Sequence, residues 1–243
     1  MATTFTPKRG ISSLFKKLAL AAALGTCSIA QADIINFEDA PAFPFAFSEE
    51  TYTLGNFQMV TLDDARQGDT VGMFINGADQ ADICQNLQCP TNNQTNYYAS
   101  LNDSYFALFA SNGGNFKINS MRGSFMGAGS STFQAAFGIL GLQGFGQNGE
   151  RVGGLHQVFV PGKNAQGAYE FSNLDLGLFS NNLYAAVQVL TFACDVSGNC
   201  FRNQGLANIA FDDIDATIPE PSTWALLGLG LLGMGAFSRK RAA

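Results

Sequence analysis

Ionisable side chains are scarce in this chain: Asp, Glu, Lys and Arg make up 13% of its 243 residues, and there is one histidine, His156. A lone imidazole between Leu155 and Gln157, on an expected strand, reads as a structural strand residue rather than a general base. No Gly-x-Ser-x-Gly elbow and no Cys–His pair with a free thiol occurs, so acyl transfer has no candidate nucleophile. The glycine-rich stretch 138–149 is not followed by Lys-Ser/Thr and opens no helix, which excludes a phosphate loop. Carboxylates are numerous enough for a glycosidase pair, but sequence alone does not set two of them at a catalytic separation. The expectation is a chain that is not an enzyme and takes no cofactor. Internal repeats are also missing, against a propeller or solenoid. Long apolar runs occur only at the two ends.

The first end reads as an export address. Lys8, Arg9, Lys16 and Lys17 precede an apolar segment from Leu18 to Ile29 that closes on Ala30-Gln31-Ala32, a small-x-small cleavage pattern. Residues 1–32 are therefore expected to be a secretory signal peptide with its cleavage site at Ala30-Gln31-Ala32, so that the mature chain starts near Asp33. The alternative is a lipoprotein cut at Leu24-Gly25-Thr26-Cys27, which the Thr before Cys27 fits poorly.

The second end, residues 218–243, has three parts: Pro219-Glu220-Pro221, an apolar run over 224–237, and the basic cluster Arg239, Lys240, Arg241. As a helix, the fourteen-residue run would be about 21 Å long, short of a hydrocarbon core of about 30 Å. Thinning of the bilayer and snorkelling of the basic residues absorb that deficit. A transmembrane helix is expected over 224–237, with Trp224, Leu227, Leu231 and Phe237 in the span and the basic residues held in the cytoplasm. The rival is a buried core helix of the same length. The order and terminal position of these parts resemble the PEP-CTERM sorting signal of Gram-negative bacteria. That resemblance implies recognition by exosortase, a membrane transpeptidase that cuts near the Pro-Glu-Pro, after passage through the secretion translocon and signal peptidase. It also implies a transient stay in the inner membrane, then release or display at the cell surface or in the extracellular matrix, with exopolysaccharide as the body's expected partner.

Between the two addresses, residues 33–217 hold six basic and eighteen acidic side chains, a net charge of −12. Such a surface repels phosphate backbones, so nucleic acid is excluded as a partner. About 185 residues suit one domain with a sizeable core. The body keeps four cysteines, Cys84, Cys89, Cys194 and Cys200. In an exported chain an even count implies disulfides, and of three possible pairings the two local ones are simplest. Each would add about 2 kcal/mol. A four-thiolate zinc site is disfavoured by the wide spacing and by the oxidising compartment.

Dense Gly, Asn and Ser punctuate short runs rich in aromatic and β-branched residues. Strands are expected at 34–37, 57–62, 71–75, 97–101, 105–109, 116–125, 133–145, 152–159, 175–179, 185–193 and 208–217. Asn76-Gly77, Asn112-Gly113 and Asn148-Gly149 mark tight turns, and only 78–87 suits a helical turn, pinned by Cys84. The fold class expected is all-β, a jelly-roll-like β-sandwich. Twenty-two phenylalanines would fill its core. Phe43, Phe45 and Phe47 would form a flap over a sheet edge, with stacking on sugar rings as the alternative. Glu38 and Asp39 follow the first expected strand, and Asp212, Asp213 and Asp215 sit on the last. The Phe-Asp-Asp-Ile pattern of that last strand resembles the closing strand of carbohydrate-binding jelly rolls, which implies adjacent first and last strands and a structural calcium. Strand alternation would turn Asp212 and Asp213 to opposite faces, so solvated strand-end charges are the plainer expectation and no metal site is assigned.

The sequence thus reads as an exported structural or adhesive surface protein. A calcium-assisted carbohydrate-binding module and, behind it, a secreted hydrolase are the alternatives.

Overall fold

Alternation decides how the body folds. In Phe57–Leu62 the residues Phe57, Met59 and Thr61 are fully buried while Gln58 faces solvent, the period-two pattern of a strand with one face on a core. A computed structural model describes residues 32–39, 44–63, 70–128, 135–202 and 205–219. Within them the strands are β1 (Ala32–Ile35), β2 (Phe45–Phe47), β3 (Thr51–Leu54), β4 (Phe57–Leu62), β5 (Thr70–Asn76), β6 (Leu87–Gln88), β7 (Asn96–Ser100), β8 (Tyr105–Ala110), β9 (Lys117–Phe125), β10 (Gly127–Ala128), β11 (Phe137–Phe145), β12 (Arg151–Val160), β13 (Ser172–Asn173), β14 (Ala186–Cys194), β15 (Cys200–Phe201) and β16 (Ile209–Thr217).

Two antiparallel sheets face each other. One runs β13-β9-β16-β7-β5-β2 with β1 also on β16; the other runs β12-β11-β14-β8-β4-β3 with β15 on β14. The core between them holds Phe57, Met59, Phe106, Leu108, Phe116, Phe125, Leu140, Val189 and Phe211, among others. Burying each such side chain stabilises by roughly 1.5–3 kcal/mol. A second core lies on the outer face of the first sheet, where Met73, Ile75, Tyr97, Ala99, Met126 and Phe171 pack with Ile83, Leu87 and Cys89. The Cys84–Cys89 disulfide staples this cover. Strand β5 is consequently buried on both faces along its middle, which is why its sequence is a continuous apolar run rather than an alternating one.

Several sequence expectations change in detail. Residues 175–179 do not form a strand; Gly177–Asn181 is a 3₁₀ turn, opened by Asp175, whose Oδ1 accepts the Gly177 N–H at 3.0 Å. That local side-chain bond competes with strand pairing. The helical turn expected near Cys84 is the 3₁₀ turn Ile83–Gln85. Of the three Asn-Gly pairs, only Asn148-Gly149 closes a hairpin, between β11 and β12, with Gly149 at φ 78°. Asn112-Gly113 instead carries the chain from β8 in one sheet to β9 in the other. Strands β2 and β3 were not expected, because Pro44 and the acidic Glu49-Glu50 pair obscure their short alternation. Among the described residues no helix is long and apolar enough to cross a membrane. The expected signal peptide up to Gln31, including Ala30, and the expected span over 224–237 lie outside the described residues.

Tyr98 gives a test of this core. It is fully buried over Gly72, where any Cβ would overlap its ring. Its hydroxyl has no hydrogen-bond partner among the described residues, and burial drives its pKa up, with a smaller push from Tyr52. A buried hydroxyl left unpaired costs about 1–3 kcal/mol. Tyr98→Phe is therefore expected to leave the melting temperature unchanged or raise it by a few degrees. A loss beyond about 1 kcal/mol would mean that the hydroxyl is satisfied.

Candidate functional site

The two expected processing points fall at one end of one strand pair. Strand β1 runs antiparallel to β16 with Ala32 opposite Thr217, Asp33 opposite Ala216 and Ile35 opposite Ile214. The first and last strands are thus neighbours, and the expected signal cleavage after Ala32 falls beside the residue where the sheet ends before the Pro-Glu-Pro. Asp33, the expected first mature residue, accepts a 2.5 Å hydrogen bond from Asn56 Nδ2 on the β3–β4 turn of the other sheet. On the C-terminal side Asn119 Nδ2 donates to Thr217 Oγ1 at 2.8 Å and to Asp215 Oδ1 at 3.0 Å. Ile218 packs partly against the core and Pro219 is exposed. One residue therefore separates the paired sheet from the first proline. Glu220, Pro221, Trp224, Leu227, Leu231, Phe237, Arg239, Lys240 and Arg241 lie outside the described residues.

The acidic residues of β16 go to different partners. Strand β16 pairs with β7 over Ile209–Phe211 and with β1 over Ile214–Thr217, and the seam between them carries a bulge against β9 at Asp212–Asp215. Asp213 adopts φ 46° there, a left-handed conformation that bends the strand. Simple alternation is lost at this point, which corrects the expectation that Asp212 and Asp213 merely point to opposite faces. Asp212 is fully buried. Its Oδ2 accepts from Asn93 Nδ2 at 2.9 Å and Thr95 Oγ1 at 3.0 Å, and its Oδ1 accepts from the Asp213 N–H at 2.8 Å. Burial raises its pKa, opposed by these hydrogen bonds. Asp213 pairs with Arg122 at 2.8 Å on the partly exposed outside, a contact worth about 0–1 kcal/mol. Glu38 Oε1 accepts the Asn96 N–H at 3.0 Å. Among the described residues no three His, Cys, Asp or Glu side chains group as a metal site. The buried Asp212 is the residue that sequence reasoning placed at the surface; Asn93 and Thr95, 119 and 117 positions away from it, gave no local signal.

Both local disulfides are present. Cys84–Cys89 has a Cα–Cα distance of 5.8 Å and Cys194–Cys200 one of 4.0 Å. The latter pair sits directly across β14 and β15, closing a loop in which Asp195 accepts from the Ser197 and Asn199 backbone and from Asn199 Nδ2. Those hydrogen bonds, the Asn199 side chain first, hold the Asp195 carboxyl below its usual range. His156 stacks on Phe179 with ring centroids 5.9 Å apart, and Phe179 on Tyr184 at 4.5 Å. Its ring packs on the 3₁₀ turn as part of the fold. Phe45 and Phe47 lie on β2, an edge strand of the first sheet, with Ala46 buried between them; Phe43 lies outside the described residues.

Residues 217–241 match the PEP-CTERM protein-sorting motif, so the chain carries that motif. No curated protein matches the sequence. Among solved structures, a DUF4465 family protein from Bacteroides caccae aligns with a TM-score of 0.51 at 12% identity, over 78% of this chain and 100% of its own. TmCBM61, solved in complex with beta-1,4-galactotriose, aligns with a TM-score of 0.32 at 10% identity, over 76% of this chain and 95% of its own. The first of these likenesses establishes a shared sandwich fold at low identity.

Proposed function

We propose that this chain is an exported, non-enzymatic surface protein, processed by an exosortase-type transpeptidase and delivered to the extracellular matrix as a structural or adhesive component of the exopolysaccharide layer. The observation that carries this reading is the sorting motif over 217–241, joined to a disulfide-bonded sandwich whose last strand ends at Thr217. The two cystines suit an oxidising compartment, and the acidic body suits solubility outside the cell. A calcium-assisted variant of this role draws no support from the acids of β16, which are engaged separately.

Fractionation of the native cells tests it. Antibody against the body should find a species trimmed at both ends in the matrix fraction, shifted in gel mobility by reduction and co-released with polysaccharide. Intact mass should place its start at Asp33. A protein confined to the cytoplasm, or one retaining Met1, would overturn the reading.

A further inference from the structure

The two sheets are treated differently on their outer faces. The first is covered by its cystine-stapled segment, whereas the second exposes Phe109, Leu155 and Phe159. At one end of that second face is a hollow of about 470 Å³, within the range of small-ligand sites of roughly 300–1,000 Å³. Register explains its shape. Phe145 on β11 lies opposite Ala186 on β14, and Ala186 lies opposite Phe109 on β8. The three residues form one row across three strands, so two rings separated by about 9.5 Å, twice the strand spacing, stand either side of a methyl group. In the next row on the same face Gln188 lies opposite Ala107. The result is a slot with two aromatic walls, an alanine floor and two amides, Gln188 and Gln147, the latter already donating to Gly113 O and Asn115 Oδ1.

We infer that this slot binds pyranose units of an uncharged polysaccharide, an assignment that rests on the matrix role proposed above. Three observations select that ligand. None of the residues lining the hollow is ionisable, although the body carries −12; the charges beside it are Arg151, one strand beyond Phe145, and the Glu150 carboxylate, which lies against Gly146 at the rim and disfavours an anionic ligand. The lining itself offers a charged ligand no ionic partner. The rings and methyl groups offer dispersion contact to the apolar C–H face of a sugar. The Gln188 side chain forms no hydrogen bond among the described residues, and its amide offers two donors and an acceptor, which match hydroxyl groups. An apolar side chain from a second copy of the protein would bury that amide unpaired, at a cost, and two bodies of the same large charge repel.

The test uses the full-length gene expressed in its own cells and the mature protein purified from them, run in native gels containing soluble galactan, galactomannan, dextran or, as the anionic counterpart, alginate. Wild type is expected to be retarded by at least one neutral polymer and not by alginate. Phe109→Ala, Phe145→Ala and Ala186→Leu, the last filling the slot while leaving both walls, should each weaken retardation about tenfold or more. Phe159→Ala, on the same face but outside the slot, should behave as wild type, and unchanged melting confirms that each variant folds. Absence of retardation in every neutral gel, or retardation that survives Ala186→Leu, would overturn the assignment. So would concentration-dependent self-association that Ala186→Leu abolishes, which would make the occupant a second copy. If slot variants lose glycan binding but the protein is not found in the matrix, the proposed function fails alone. If the protein is in the matrix and slot variants bind as wild type, this inference fails alone.

Discussion

Replacing Pro219, Glu220 and Pro221 together by alanine is expected to leave export intact and to trap full-length protein in the inner membrane. Neither proline can donate a backbone hydrogen bond, and each restricts the residue before it to extended conformations. The stretch leaving the sheet is therefore expected to stay extended and open to an enzyme. Three alanines remove that restriction and favour extending the helix expected over 224–237 upstream. The expected span contains Gly228, Gly230, Gly233 and Gly235, each of low helix propensity, which suits a temporary anchor. The body should be indifferent to the change, because β16 ends at Thr217 and Pro219 is exposed. Pulse-chase labelling with membrane fractionation checks this. A variant released and trimmed as fast as wild type would show that the Pro-Glu-Pro is not what the processing enzyme reads.

The largest effect expected inside the body comes from Asp212→Ala. Its carboxylate satisfies Asn93 Nδ2, Thr95 Oγ1 and the Asp213 N–H in a site closed to water. Removing it strands those donors at the seam where β7 and β1 share β16, costing about 3 kcal/mol or more. For a body of this size that is a drop of about 10 °C in melting temperature. Asp215→Ala, on a partly exposed residue of the same strand, should cost less than about 1 kcal/mol. The pH dependence has a definite sign. Because burial raises the folded-state pKa of Asp212, the native protein binds the proton more readily than the unfolded chain. This group's contribution is therefore most favourable below the ordinary Asp value of about 3.9 and declines as pH rises through the folded value. Asp212→Asn abolishes that titration. The wild-type minus Asp212→Asn stability difference, from thermal melts across the acid range, should fall with rising pH. A difference that rises would mean that the hydrogen bonds outweigh the burial.

Much of this molecule was legible locally. The strand Phe57–Leu62 was readable to its ends because its alternation is strict, and the local disulfides because short loops between cysteines leave little choice of partner. The C-terminal sorting motif is a linear signal, as is the expected signal peptide, so no tertiary information is needed to see them. What the linear chain could not contain is anything decided by neighbours distant in sequence. The burial of Asp212 depends on Asn93 and Thr95, brought to it by the pairing of β16 with β7. The bulge at Asp213 arises because one strand is shared by two short partners, and no propensity encodes that. The slot on the second sheet is likewise a product of register: Phe109, Phe145 and Ala186 belong to three strands, and a shift of one residue in any of them would turn its side chain to the opposite face. Sequence alone determined the sorting motif, the all-β class and the covalent staples, because these depend on short-range pattern. Tertiary structure alone decided which carboxylate is buried, which sheet face is covered and which is left open, because those follow from long-range pairing across the sandwich.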